Sequence, residues 1–114
     1  MLRSMYQKGF VLLFGNLIEN AFDALVGIER AHKEVSISID DNDGMLAIMV
    51  SDNGIGIPKE NLARIFESGF STKQNENRGI GLFLIHEIVK KGNGTIEIMS
   101  EVGKGTTFIL TFEF

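Results

Sequence analysis

The 114-residue chain predicts an α+β fold, a two-layer α/β sandwich whose mixed, mainly antiparallel sheet is covered on one face by about three helices. Three observations predict it. A long early stretch repeats its apolar residues at steps of three and four; four later stretches alternate or run apolar at strand length; and glycine-bearing turns join those four into two pairs. The order is helix, two strands, short helix, polar loop, helix, two strands. Helices laid against one side of an antiparallel sheet bury both kinds of apolar face at once.

Each element has a local reason. Phe10, Leu13, Phe14, Leu17, Ile18, Ala21, Ala24, Leu25 and Ile28 share one side of a helix. Met1 to Lys8 show little pattern and are expected to be frayed or foreign to the domain proper. Val35, Ile37 and Ile39 alternate with Ser36, Ser38 and Asp40, as in a half-buried strand. Asn42-Asp43-Gly44 then turns the chain back into a strand over Met45 to Ser51. Pro58 lacks the N–H that a first helical turn leaves unpaired, so a short helix is expected from there through Phe66. The stretch from Glu67 to Arg78 is too polar to pack and is expected to be a mobile loop. From Gly79 a second amphipathic helix carries Leu82, Ile85, Ile88 and Val89. It stops at Gly92-Asn93-Gly94, with Lys90 and Lys91 at the negative end of its dipole. Thr95 to Ser100 and Thr106 to Phe114 form the last two strands around Gly103-Lys104-Gly105, with Phe108, Leu110, Phe112 and Phe114 on one face.

Composition bounds the function. At 44% hydrophobic, residues 1–114 are expected to form one domain that buries roughly two-thirds of its unfolded surface. No apolar run approaches the about 20 residues of a membrane span and no secretory signal is present, so a soluble domain is expected. The lack of cysteine excludes a disulfide framework and thiolate metal sites, and fits a cytoplasmic setting. A net charge of −4 and a pI of about 5.1 argue against nucleic-acid binding, which needs a basic face. A bound polyanion has to be held by local groups.

Three stretches carry candidate chemistry. Asp52-Asn53-Gly54-Ile55-Gly56-Ile57-Pro58 follows the apolar run Leu46 to Val50, placing a carboxylate at the end of a buried strand. Asp accepts hydrogen bonds from an exocyclic amine such as that of adenine, and Gly54 and Gly56 leave room for a flat ring. An ordinary Asp-Asn-Gly turn fits the same residues. Asn16 and Asn20 lie four apart on one helix face among residues that favour burial. Buried amides without partners cost a few kcal/mol, so they point to a polar cavity or to a Mg²⁺ ligand, unless each caps a neighbouring backbone group. Glu19 and Asp23 are expected to be solvated flank charges. Arg78-Gly79-Ile80-Gly81-Leu82 opens a helix, where exposed amides and the dipole favour phosphate, although neither a P-loop nor the third glycine of a dinucleotide site is present. Ser71-Thr72-Lys73, in the polar stretch, supplies hydroxyls and an ammonium able to close over phosphates, or is a solvated loop.

In order and spacing, Asn16-x-x-x-Asn20, Asp52-x-Gly54-x-Gly56, Phe66 to Phe70, Gly79-x-Gly81-Leu82 and Gly105-Thr106-Thr107-Phe108 resemble the N, G1, F, G2 and G3 boxes of the sensor histidine kinase ATP-binding domain. That domain shares a superfamily with DNA gyrase, Hsp90 and MutL. The resemblance runs from about Phe10 to the end. Phe-Glu-Ser-Gly-Phe-Ser-Thr-Lys followed by Asn-Arg-Gly-Ile-Gly-Leu is most similar to the citrate and C4-dicarboxylate sensor kinases. The resemblance implies a Bergerat-type fold with ATP between the long helix and the polar loop. It implies that Asp52 bonds the adenine amine beside Gly54, Gly56 and Ile57, and that Asn20 coordinates Mg²⁺ with Asn16 beside the phosphates. Gly79, Ile80, Gly81 and Leu82 would supply amides, Lys73 and Arg78 would meet the outer phosphates, and Phe66 and Thr107 would line the nucleotide.

Two departures and one absence refine this expectation. Many histidine kinases carry a basic residue three positions after the second Asn, where this chain has Asp23; Lys73 is the expected substitute. ATP-hydrolysing relatives place a Glu at the first box position, where Asn16 cannot act as a general base, and Glu19 projects elsewhere. Slow hydrolysis and transfer to a protein are therefore expected. The phosphoacceptor helix is not evident, since His86 lies in the helix after Gly81 and His32 reads as a surface residue. The expected partner is thus a separate helical dimerisation domain bearing the acceptor His, within a parent kinase that is membrane-anchored and holds this domain on the cytoplasmic side. A response regulator would be engaged only indirectly. The alternative is an ATPase or a nucleotide-responsive interaction module of the same superfamily.

Overall fold

A computed structural model describes residues 2–29, 31–67 and 77–113, with side-chain surroundings for 11–29, 31–67 and 82–113. Its elements are α1 (Leu2–Leu25), β1 (Val35–Asn42), β2 (Met45–Asp52), α2 (Lys59–Leu62), α3 (Asn77–Lys91), β3 (Thr95–Glu101) and β4 (Gly105–Glu113). The strands form one sheet in the order β1-β2-β4-β3, with every described pairing antiparallel. The architecture is the expected one: two hairpins joined through β2 and β4, with the helices on one face.

Local chemistry accounts for the hairpins. Asp43 and Gly44 both have positive φ, 52° and 78°, so a two-residue turn matched to strand twist connects β1 to β2. α3 ends where Asn93 takes φ 55° and Gly94 N–H reaches back to the Val89 carbonyl at 2.9 Å.

The core lies between the helices and the central strands. α1 contributes Leu13, Leu17 and Ala21, α3 contributes Ile85 and Val89, and the sheet contributes Ile48, Val50, Phe108, Leu110 and Phe112. α1 packs on β2, α3 packs on β3, and the two helices pack on each other.

α3 begins at Asn77 rather than at Gly79, and the elements depart from expectation in four further places. α1 begins at Leu2 rather than near Phe10, because extending a helix already anchored by packing costs far less than starting one. It ends at Leu25, before Ile28, as Gly27 takes φ 82°. α2 spans four residues rather than reaching Phe66; Pro58 provides no side-chain cap, and the chain continues in i→i+3 turns through Arg64 and Glu67. β1 is not half-buried. Ile37 and Ile39 lie opposite Val50 and Ile48 on the helix-covered face, yet they are 48% and 58% exposed because β1 projects past the edge of the helix layer.

That contrast sets a stability prediction. Leu17→Ala should lower the unfolding free energy by about 2–5 kcal/mol through lost burial and a residual cavity. Ile39→Thr should change it by no more than about 0.5 kcal/mol. Urea unfolding followed by circular dichroism measures both.

Candidate functional site

Strand alternation decides which side chains meet at the end of the sheet. Val50 and Phe108 point into the core, so Asp52 and Thr106, each two residues away on its strand, point to the same face. They are cross-strand partners and are the polar side chains buried among the described residues, at 8% and 4% exposure. Burying a carboxylate without partners is costly, and Asp52 Oδ1 accepts the Gly54 N–H at 2.8 Å.

The segment after Asp52 is tied to four parts of the chain. Asn53 Oδ1 accepts the Glu34 N–H at 2.8 Å, and its Nδ2 donates to the His32 carbonyl at 2.9 Å. Ile55 N–H donates to the Ala24 carbonyl at the end of α1, 3.0 Å away. Gly103 N–H, in the β3–β4 turn, donates to the Ile55 carbonyl at 2.9 Å, and Ile57 N–H donates to Ser100 Oγ at 2.7 Å. This closeness explains the glycines differently from expectation. A Cβ on Gly54 would overlap the Ala24 carbonyl, and one on Gly56, at φ 79°, would overlap the Glu101 carbonyl. Both glycines admit the close approach of the protein's own backbone.

Asn16, Asn20 and Asp23 are half-buried and fall within an arc of about 60° on α1, beside the buried stripe. Asn16 Nδ2 donates to the Leu12 carbonyl at 2.8 Å, so this amide caps its own helix backbone. Glu19 is exposed, as expected, whereas Asp23 is more enclosed than a solvated flank charge. Among the described residues no group of three or more His, Cys, Asp or Glu side chains gathers to cage a metal. The donors here, one or two amide oxygens, fit Mg²⁺ as an ion that takes most of its ligands from phosphates and water.

The remaining expected residues divide. With α3 starting at Asn77, the amides of Gly79 and Ile80 are among the first four, which have no acceptor inside the helix; Gly81 and Leu82 lie one turn further in. Leu82 and Phe66 pack against the core, and the Phe66 ring stacks on His86 with centroids 5.1 Å apart. Lys73 and the side chains of Arg78 and Ile80 lie outside the described residues. Thr107 is corrected: as the neighbour of Thr106 on a strand it projects from the opposite face, where its hydroxyl pairs with Ser51 at 2.8 Å. His32 is exposed.

Sequence reasoning passed over Thr106, Ser100 and Asn53. The alternation through Phe108, Leu110 and Phe112 was signal enough for Thr106. Ser100 and Asn53 carry no local mark, since their partners lie elsewhere in the chain.

Known proteins share this fold. Residues 5–114 match the family described as histidine kinase-, DNA gyrase B-, and HSP90-like ATPase. The chain is 42% identical over 106 residues to the Probable C4-dicarboxylate sensor kinase of Bacillus subtilis, covering 93% of this chain and 20% of that protein. It is 40% identical over 110 residues to the Sensor protein CitS of Halalkalibacterium halodurans, covering 96% of this chain and 20% of that protein. The chain thus spans about a fifth of the length of these relatives. Among solved structures, the catalytic domain of histidine kinase ThkA superposes with a TM-score of 0.68 at 26% identity, covering 86% of this chain and 61% of that one. ShkA, solved in complex with AMPPNP, superposes with a TM-score of 0.74 at 24% identity, covering 89% of this chain and 20% of that one. The chain belongs to the histidine kinase-, DNA gyrase B-, and HSP90-like ATPase family and is an ATP-binding catalytic domain of the sensor histidine kinase type.

Proposed function

We propose that this domain binds ATP with Mg²⁺ and transfers the γ-phosphate to a His on a separate helical dimerisation domain of its parent kinase. The observation that carries the reading is the burial of Asp52 and Thr106 side by side, facing the helix layer that bears Asn16 and Asn20. A buried carboxylate at the end of β2, next to a braced loop, offers a fixed acceptor for the exocyclic amine of adenine. The first-turn amides of α3, Gly79 and Ile80 among them, favour phosphate through their unpaired N–H groups and the helix dipole. Lys73 and Arg78 are the proposed cations for the outer phosphates.

Asn20 is the proposed Mg²⁺ ligand, Asn16 lies beside it, and the ion would neutralise charge on the phosphates. Phosphoryl transfer asks mainly for positioning and charge neutralisation, which these groups supply. Asn16 offers no general base to activate water, so hydrolysis is slow and transfer to a protein side chain is favoured. The names of the similar sensor kinases support this reading. No helix of the described residues is long and apolar enough to cross a membrane. We propose that the parent is membrane-anchored with this domain on the cytoplasmic side, and that a response regulator is engaged after the acceptor His.

Asp52→Asn should weaken ATP binding by about 1–3 kcal/mol, because a charged acceptor is replaced by a neutral one. Isothermal titration measures this, and unchanged affinity would remove Asp52 from base recognition. Asn20→Asp should alter the Mg²⁺ dependence of ATP binding more than affinity for adenosine; equal effects on both would end its metal role. Incubated with ATP, Mg²⁺ and the acceptor-helix domain, the wild type should form acid-labile phosphohistidine. ATP binding without it would leave a nucleotide-responsive module.

A further inference from the structure

An antiparallel sheet covered on one side by helices ordinarily turns polar side chains to its other side. Here alternation puts Met45, Met49, Met99 and Ile109 on that uncovered side, because Ile48, Val50, Ile98, Phe108 and Leu110 point toward the core. The register seats Met49 beside Ile109 on the two central strands, and Met99 across from Thr107 on β3. Met45, Met49 and Met99 are 37%, 40% and 57% exposed. A contiguous apolar patch rimmed by polar groups marks an interaction surface.

The charge around this patch has one sign. Asp40 stands outward on the edge strand β1, Glu97 and Glu101 stand outward on the opposite edge strand β3, and Glu113 stands at the end of β4, opposite Met45. Among the described residues of the four strands, no Lys or Arg takes an outward position. Lys104, in the β3–β4 turn, pairs with Glu101 at 3.6 Å and offsets one of the four acids.

We propose that the uncovered face of the sheet docks a basic amphipathic α-helix of a partner protein. Its apolar stripe would cover Met49, Ile109 and Met99, and Lys or Arg on its flanks would reach Asp40 on one side and Glu97 on the other. The dimensions suit this occupant. Three strand spacings separate β1 from β3 by about 14 Å, so a helix of about 10–12 Å diameter seated on β2 and β4 brings its flanks to the acidic edges. Methionine side chains repack around differing apolar stripes. Charge disfavours the other occupants, since a second copy would set these acids against themselves and an anionic membrane surface would meet the same repulsion. Asp52 points to the opposite face of the sheet, so a helix docked here leaves the candidate nucleotide site open.

The test titrates the domain, labelled at its methionine methyl groups, with a helical peptide of about 18 residues carrying leucines on one face and lysines on the other. The NMR signals of Met45, Met49 and Met99 should shift, and the affinity should fall as salt is raised. Met49→Thr and Glu97→Lys should each weaken binding about tenfold, as expected for central interface positions. A leucine–glutamate peptide of the same pattern should not bind. The proposal is overturned if the leucine–lysine peptide does not bind, if a scrambled version binds as tightly, if the methionine shifts lie elsewhere, or if both variants bind unchanged. Self-association in sedimentation that Met49→Thr abolishes would assign the face to a second copy instead, and binding to phosphatidylserine vesicles with the same loss would assign it to a membrane; either overturns the proposal. Should a variant fail to fold by circular dichroism, the wild-type shift map and the leucine–glutamate comparison decide.

Discussion

The pairing of β2 with β4 is the constraint on which the rest of this domain depends. Each hairpin is a local structure that its own turn can start, but neither buries an apolar face alone. Joined along β2 and β4, they align Ile48 with Leu110 and Val50 with Phe108, and the resulting surface receives α1 and α3. A slip of one residue would turn these side chains to the uncovered face, so core burial sets the register. The same register puts Asp52 opposite Thr106. The geometry of the candidate site is in this sense a by-product of how a hydrophobic core closes.

Polar groups at that end of the sheet are tolerated because backbone and hydroxyl partners surround them. Asp52 accepts the Gly54 N–H, and Thr106 is held by Ser100, which is itself held by Ile57 and Gly105. The loop between them has no regular secondary structure, yet it is bonded to the end of α1, the approach to β1, strand β3 and the β3–β4 turn. Such bracing holds Asp52 in place, and under the proposed function that lowers the ordering cost of binding. The glycines of the motif make the bracing possible by letting two carbonyls approach, a different reason from the open space their small size suggests.

Two parts of the candidate site are legible in the sequence alone. Asp52 stood out because a carboxylate ends an apolar strand, and the Asn16 and Asn20 pair because amides interrupt an apolar helix face. Thr107 was misread for want of one step, counting the alternation back from Phe108. β1 was misread for a deeper reason: Ile37 and Ile39 carry a buried pattern, and nothing within β1 states how far the helix layer extends above it. The capping of Leu12 by Asn16 was open as an alternative and is what the helix adopts.

The sequence by itself determined the kind and order of the elements, the turn at Asp43 and Gly44, and the inward faces of α1 and β4. Those follow from periodicity and backbone preference, which act between residues a few positions apart. Only the tertiary structure decided the strand order β1-β2-β4-β3, the exposure of β1, the backbone partners of Gly54 and Gly56, and the convergence of Ser100, Thr106 and Ile57 beside Asp52. These depend on contacts between segments tens of residues apart, whose geometry exists only once the core has brought them together.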